Sequence, residues 1–372
     1  MNDDAGDVSI SPPAPAQGED VFLDRAHRAE QPWARLAEHL AAHGMRFVPE
    51  PAPRQFAGGF GNLNYLVTVD GAAAVLRRPP AGPLPPGGND MAREHRVLSR
   101  LWRAFPLAPR SLHFCADETV LGAPFFIMEY RPGLVVRSDL PPALAGCGRE
   151  LSAMLVDVLT RLHAVDPAAV DLDGLGRPEG FLGRAVAGWI KRARVAATDI
   201  YDDGGLPAAA RDVADWLDSR PLPAGAVSLL HNDYKLDNIV LDPAAPTRPL
   251  AVLDWDMCTR GDPLFDLATL LGYWAEPDDP PVMHAVRQMP TAEGDFLGRE
   301  QIVARYAEAT GRDVSDFLFY RVLAAFKLAV IFQQIYARHC RGTTRDPRVQ
   351  RLGPLGEDLF VFAHDIARGR AF

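Results

Sequence analysis

A β-rich island between Val227 and Met257 interrupts a chain that otherwise reads, from about Leu151 onward, as long helical patterns. Those patterns include ELSAMLVDVLTRLHAV, FLGRAVAGWIKRARVAA and FLFYRVLAAFKLAVIFQQIYARH, with apolar residues recurring at helical spacing. The island carries LLHNDYKLDNIVLD and then LAVLDWDMCTRGDPLFDLA, so acidic and amide side chains fall between short strands. In His231-x-Asp233-x-x-x-x-Asn238, one carboxylate can accept the hydrogen bond of an attacking hydroxyl, and the amide oxygen further along the same loop can ligate magnesium. Asp254, ending LAVLD, offers the hard anionic oxygen that a magnesium ion bridging two phosphates prefers.

The chain ahead of the island has a different texture. In PWARLAEHLAAH, Trp33, Leu36, Leu40 and Ala41 fall at helical spacing and Gly44 is the stop. FAGGFGNLNYLVTV and AAAVLRRP then flank Asp70-Gly71, a strong hairpin signal. PPAGPLPPGG, from Pro79 to Gly88, cannot hold regular structure; MAREHRVLSRLWRAF follows with helical periodicity, and GAPFFIMEY reads as a buried strand ending at Arg131-Pro132-Gly133. The pattern predicts an α+β chain with a small β-rich lobe over residues 22–130 and a larger, mainly helical lobe over residues 131–372. Residues 1–21 hold too little large apolar surface to offset the entropy of ordering, which predicts a mobile tail.

Composition excludes some functions. Over 372 residues the formal net charge is −9, with no Lys/Arg run to lay along a nucleic-acid backbone, so nucleic acid is not an expected partner. Cys115, Cys147, Cys258 and Cys340 are scattered, with no zinc or redox spacing, and predict reduced thiols in the cytoplasm. The acidic N-terminus lacks a secretory pattern. The longest apolar stretch, around Leu323 to Phe332, is interrupted by Lys327 and reads as too short to span a bilayer, so no membrane is expected. Oligomeric state is not legible.

The island and the glycine-rich hairpin together resemble the aminoglycoside phosphotransferases and related small-molecule kinases, distant relatives of protein kinases, from roughly Arg54 to Leu271. The spellings LRRPP, MEYRPG, HNDYKLDNI and LDWD are closest to the branch also found fused to acyl-CoA dehydrogenases. The resemblance implies a protein-kinase-like two-lobed fold, ATP and Mg2+ as cofactors, and transfer of a γ-phosphate to a hydroxyl of a small molecule. It makes Asp233 the catalytic aspartate, Lys235 the neutraliser of the transferring phosphoryl group, and Asn238 and Asp254 the metal ligands. Gly58, Gly59 and Gly61, with Asn62, resemble the hairpin that covers the phosphates. In the next strand, Val75 and Arg77 share a face, Val75 to pack on adenine and Arg77 to reach the phosphates, at a site where kinases usually have lysine. Glu94 is the implied ion-pair partner of Arg77. Met128, Glu129 and Tyr130 resemble the hinge that binds adenine through its backbone. By the same resemblance His231 holds the loop without proton chemistry, Asp256 is a second-rank metal neighbour, and Asp262 and Asp266 anchor the catalytic loop.

Asp254-Trp255-Asp256 has no DFG glycine and no APE segment follows, which points away from a phosphorylation-switched protein kinase. The helical patterns Phe181 to Ala197 and Phe317 to Arg341 should line the acceptor cleft. Their Arg184, Trp189, Lys191, Arg192, Arg194, Lys327, Tyr336 and Arg338 would suit an anionic acceptor, and the resemblance to the branch fused to acyl-CoA dehydrogenases implies a hydroxylated acyl thioester. An antibiotic kinase and a nucleotide-binding module without turnover are the alternatives.

Overall fold

The computed structural model describes residues 22–24, 27–57, 61–80, 89–344 and 347–372. The tail 1–21, Gly58, Gly59 and the bulk of the Pro-rich segment lie outside the described residues, so the expectations placed on them stay untested.

Helix α1 (Trp33–Ala42) opens the first lobe and buries Leu36 and Leu40, while Ala41, expected on the same face, is exposed. Strands β1 (Arg54–Gln55), β2 (Leu63–Val69) and β3 (Ala72–Arg78) are followed by α2 (Met91–Leu101), β4 (Ser111–Cys115), α3 (Glu118–Leu121) and β5 (Phe125–Glu129). The strands form a five-stranded antiparallel sheet in the order β1-β2-β3-β5-β4. The β2–β3 hairpin closes as expected: Val69 pairs with Ala72, and Asp70 and Gly71 have φ of 52° and 79°. Two consecutive positive φ values are the backbone of a type I′ turn, whose twist matches that of the strands it joins.

Period-two alternation then sorts β3 between two cores. Ala74 and Leu76 pack with Leu36 and Leu40 under α1, whereas Val75 joins Val97 and Leu98 of α2, Phe105 and Met128 on the opposite face. The phosphate-facing expectations for Val75 and Arg77 therefore fall on the face turned away from α1. Asp90 caps α2, its carboxylate accepting the Arg93 N–H at 3.0 Å.

The second lobe runs β6 (Leu134–Val135), α4 (Gly148–His163), α5 (Phe181–Ile200), α6 (Ala208–Ser219), β7 (Ser228–Leu230), β8 (Ile239–Asp242), β9 (Ala245–Val252), β10 (Thr259–Gly261), α7 (Pro263–Gly272), α8 (Pro281–Val286), α9 (Arg299–Thr310), α10 (Phe317–Cys340) and α11 (Leu352–Ala367). Strands β7, β8 and β9 of the island take partners from outside it, in a β6-β8-β9 sheet and a β7–β10 pair. Helix α10 packs on α5, α7 and α11. Its 24 residues, with an 18-residue window of mean hydropathy 1.4, are long and apolar enough to cross a bilayer, which corrects the expectation drawn from Leu323 to Phe332. That window is 78% buried within the fold, as suits a central core helix.

Candidate active site

The β7–β8 connection carries His231 to Asn238 and is held from three directions. Asp266, in the first turn of α7, accepts the backbone N–H groups of His231 and Asn232, both at 2.7 Å. It is steadied in turn by His163 Nε2 at 3.3 Å, whose Nδ1 meets the Tyr306 hydroxyl at 2.7 Å. Lys327 of α10 donates to the Asn232 carbonyl at 2.8 Å and to Thr269 Oγ1 at 3.3 Å. His231 Nε2 donates to the Leu253 carbonyl at 2.9 Å, leaving Nδ1 to accept the Asp233 N–H at 3.3 Å. His231 thus ties the loop to the strand leading to Asp254, with neither nitrogen free for proton chemistry. Asn232 has φ of 66°, a left-handed backbone that Asn tolerates better than most side chains.

Asp233 sits at the centre of this frame. Its carboxylate accepts the Tyr273 hydroxyl at 3.1 Å and Asn238 Nδ2 at 3.3 Å, and Lys235 Nζ lies 3.3 Å away. The side chain is still 25% exposed, so a hydroxyl can reach it. Asn238 spends its Nδ2 on Asp233, whose carbonyl it also meets at 2.8 Å, which turns its Oδ1 outward as an acceptor. Lys235 also reaches Gln288 Oε1 at 3.2 Å and lies 4.8 Å from the centroid of the Tyr273 ring. Burial opposes its charge, but Asp233 and Asp237 raise its pKa well above the usual lysine range.

From the first lobe, Arg77 Nε bonds Glu94 Oε2 at 2.8 Å, as expected, and its Nη2 bonds Asp254 Oδ1. Asn64 Oδ1 accepts Arg77 Nη1 at 3.4 Å. Glu94 closes a loop of contacts, because its Oε1 accepts the Trp255 N–H at 3.2 Å. One guanidinium fork therefore links the sheet, α2 and the strand end carrying Asp254, a geometry that a lysine ammonium could not reproduce. Burial works against Arg77's charge, yet Asp254 and Glu94 hold it protonated. Asp254 itself has φ of 67°. Gly61 and Asn62 are the described part of the glycine hairpin, and both accept from Asn89 Nδ2, Asn62 through Oδ1 at 2.8 Å. At the hinge, Met128 is buried and pairs with Val75, the Glu129 carboxylate is taken by the Arg110 N–H at 3.1 Å and by Arg131 at 2.7 Å, and Tyr130 lies beside Phe56.

The donor set suits a hard divalent cation. Asp233, Asp237, Asp254, Asp256 and Glu94 gather around Arg77 and Lys235, leaving negative charge in excess. Burial and Asp254 push Asp256 up to about 6, and burial pushes Asp237 to about 6 as well, although Lys235 opposes it. Asp237 Oδ1 is buried without a hydrogen-bond partner among the described residues. Oxygen ligands crowded to this degree are what Mg2+ relieves.

Several expectations need correction. Asp262 does not anchor the catalytic loop: it caps α7 through the Leu264 N–H at 3.0 Å and accepts the Tyr320 hydroxyl at 2.7 Å. Lys327 is not an open acceptor contact, since it is buried beneath the loop. Arg184 is spent on the carbonyls of Arg177 and Glu179, and Arg192 lies over the Trp189 ring. Sequence reasoning gave no role to Tyr273, Gln288 and Asp237; only Asp237, inside the loop motif, carried a local signal. Beyond Tyr273 the chain enters a cavity of about 670 Å³ lined by residues including Glu276, Asp279, Phe296, Arg299, Phe362 and Phe372. Close by, Arg321 is fully buried, 6.0 Å from the Phe372 ring centroid, and none of its three guanidinium nitrogens has a hydrogen-bond partner among the described residues. Burial and the neighbouring Arg299 pull its pKa down to about 9.

The sequence profile described as Phosphotransferase enzyme family matches residues 52–300. The chain belongs to that family. The chain is 31% identical to mouse acyl-CoA dehydrogenase family member 10 and to chicken acyl-CoA dehydrogenase family member 11, each alignment covering 86% of it. It spans only 29% and 41% of those proteins' lengths. Among solved structures, a Ralstonia eutropha protein with a provisional aminoglycoside-phosphotransferase assignment superposes with TM-score 0.73 at 24% identity, covering 91% of this chain and 99% of that one. The macrolide 2'-phosphotransferase MphH of Brachybacterium faecium superposes with TM-score 0.55 at 18% identity, over 86% and 97% of the two chains. Both likenesses show a shared protein-kinase-like fold.

Proposed function

We propose that this phosphotransferase moves the γ-phosphoryl group of ATP onto a hydroxyl of a small anionic molecule in a magnesium-dependent reaction, with a hydroxylated acyl thioester as the preferred acceptor class. The observation that carries the reading is the placement of Asp233, fixed by Tyr273 and Asn238 yet open to solvent, on a loop tied through His231 to the strand end that Arg77 and Glu94 hold. The acceptor hydroxyl would donate to Asp233. Its oxygen attacks the γ-phosphorus as the bond to the β–γ bridging oxygen breaks, that electron pair leaves with ADP, and the proton passes to Asp233 late in the transfer. Lys235 lies within reach to offset charge on the transferring group, and Arg77 sets the position of Asp254. Asn238 and Asp254 would hold magnesium, which would neutralise charge on the phosphate oxygens.

Nucleotide use is supported by the ternary complex of a thermostable aminoglycoside phosphotransferase APH(4)-Ia variant with AMP-PNP and hygromycin B, which superposes with TM-score 0.52 at 18% identity. For the acceptor, the acyl-CoA dehydrogenase names of the relatives support an acyl thioester. The four free cysteines agree with a reducing, cytoplasmic setting.

The test is ATP consumption with magnesium across hydroxyacyl thioesters, free hydroxy acids and aminoglycosides. Turnover with hydroxyacyl thioesters, abolished in Asp233→Ala while nucleotide affinity stays within a few-fold, is the expected result. Asp254→Ala should weaken magnesium-nucleotide binding and turnover together. Turnover with aminoglycosides alone would overturn the acceptor class, and turnover surviving in Asp233→Ala would overturn the role of that carboxylate.

A further inference from the structure

The outer face of the first lobe carries a side-chain cluster that phosphoryl transfer does not use. His39 on α1 and His43, the residue that caps its C-terminus, stand one turn apart, and His113 rises from β4 to meet them. One ligand nitrogen from each ring lies within 4.8 Å of the other two. His39 Nε2 and His113 Nε2 are 2.9 Å apart, and the ring centroids are separated by 4.3, 5.1 and 5.1 Å. Three imidazoles in mutual contact cannot all carry a proton without strong repulsion. Burial and the other two imidazoles hold His113 down to about 4, and burial with His43 keeps His39 below its usual range.

The tautomer of His43 is also set. Its Nδ1 lies 2.8 Å from the His39 carbonyl, which can only accept, so Nδ1 carries the proton and Nε2 presents its lone pair. A carbonyl bond of this kind on the non-ligating nitrogen is the support that metal-binding histidines use. Phe125 backs both His39 and His113, with ring centroids at 5.9 and 6.3 Å, which limits the rotation of either imidazole.

We propose that His39, His43 and His113 form a three-imidazole site for a divalent transition-metal ion of the zinc class, which clamps α1 onto β4. The donors are borderline-soft nitrogens without a carboxylate in the set, so the site selects Zn2+, Co2+ or Ni2+ and refuses the Mg2+ that suits the carboxylates of the cleft. His43 is exposed, leaving the fourth coordination position open to water. The site lies across the sheet from Arg77, because α1 packs on the Ala74 and Leu76 face of β3. Occupancy would tie α1 to the edge strand β4, and binding to the folded state alone would raise the melting temperature.

Tag-free full-length protein is titrated with Co2+ and then Zn2+, following visible absorption and melting temperature. One equivalent of Co2+ should give the d–d bands of a low-coordinate nitrogen site, Zn2+ should bleach them, and Zn2+ should raise the melting temperature. His43→Ala, at an exposed position, should fold normally, lose the Co2+ bands and bind Zn2+ at least about 10-fold more weakly, since even a supporting residue of a metal site is worth that much. Magnesium-dependent turnover should be unchanged in it. Asp254→Ala should keep the Co2+ bands, which separates this site from the cleft and from the fate of the proposed reaction. Bands that persist in both His43→Ala and His113→Gln, or a wild-type protein that gives neither bands nor a Zn2+-dependent melting shift, would overturn the site.

Discussion

Arg77 and Lys327 are buried cations on two sides of the same site, Arg77 beside Glu94 and Asp254 and Lys327 beneath the loop that carries Asp233, and the fold holds them in opposite ways. Arg77, from the first lobe, donates to Glu94 and Asp254 and stays charged against the cost of its burial. Lys327, from the central helix of the second lobe, has no carboxylate partner among the described residues: it donates to the Asn232 carbonyl and to Thr269, 5.2 Å from the Phe265 ring centroid. Burial pulls it down to about 8. The first cation fixes where negative charge sits in the cleft. The second uses its hydrogen bonds to shape the main chain that carries Asp233. A buried cation in a site of this kind can thus be an electrostatic element or a geometric one, and its partners decide which.

Arg77→Ala should break the comparison most severely. It leaves Glu94 buried without its cation, which costs about 3–5 kcal/mol, while Asp254, 38% exposed, adds little because water screens it. Urea unfolding would read this as a lowered midpoint, with turnover lost because Asp254 is released. Arg77→Lys should recover part of the stability, since the charge returns, but less of the turnover, since one ammonium cannot fork between Glu94 and Asp254. An unchanged urea midpoint in Arg77→Ala would show that the pair contributes nothing net.

Lys327→Met should have a smaller and different effect. The apolar stem is kept, but the Asn232 carbonyl loses a buried donor, at a cost of about 1–3 kcal/mol. Because the loop loosens under Asp233, kcat should fall while the KM for nucleotide holds. A matching rise in nucleotide KM would mean that Lys327 acts on the phosphate side, and the distinction from Arg77 would fail.

The two cations also differ in how legible they were. The Arg77–Glu94 pair was readable because both partners sit in a recognisable local order, on the strand after the hairpin and the helix after the Pro-rich loop. Asp70-Gly71, the helical periodicities and the loop from His231 to Asn238 are likewise local patterns, and each became the element it predicted. Lys327 was read as part of an acceptor surface because nothing near it in sequence marks its partner, 95 residues away at Asn232. Tyr273 was silent for a similar reason, being 40 residues from Asp233. Asp262 and Asp266 show the limit within one helix: both open α7, but only Asp266 turns toward the loop, while Asp262 caps the helix. Long-range partners are chosen by packing, which periodicity does not encode.

The finest test of the comparison is the pH dependence of stability. The folded-state pKa of Lys327, about 8, lies below the usual lysine value of 10.5. Between those values the unfolded chain binds a proton that the folded chain has released, so this group makes stability rise with pH across that window. Arg77 stays protonated throughout and contributes no such slope. Urea midpoints of wild type and Lys327→Met, compared at pH 8 and pH 9.5, should therefore shift in favour of wild type by about 1–2 kcal/mol. Staying below pH 10 keeps the raised tyrosines, Tyr273 among them, from titrating with the opposite sign. Parallel curves would mean that Lys327 keeps an ordinary pKa, and with it a charge that the carboxylates of the cleft must then be compensating from a distance.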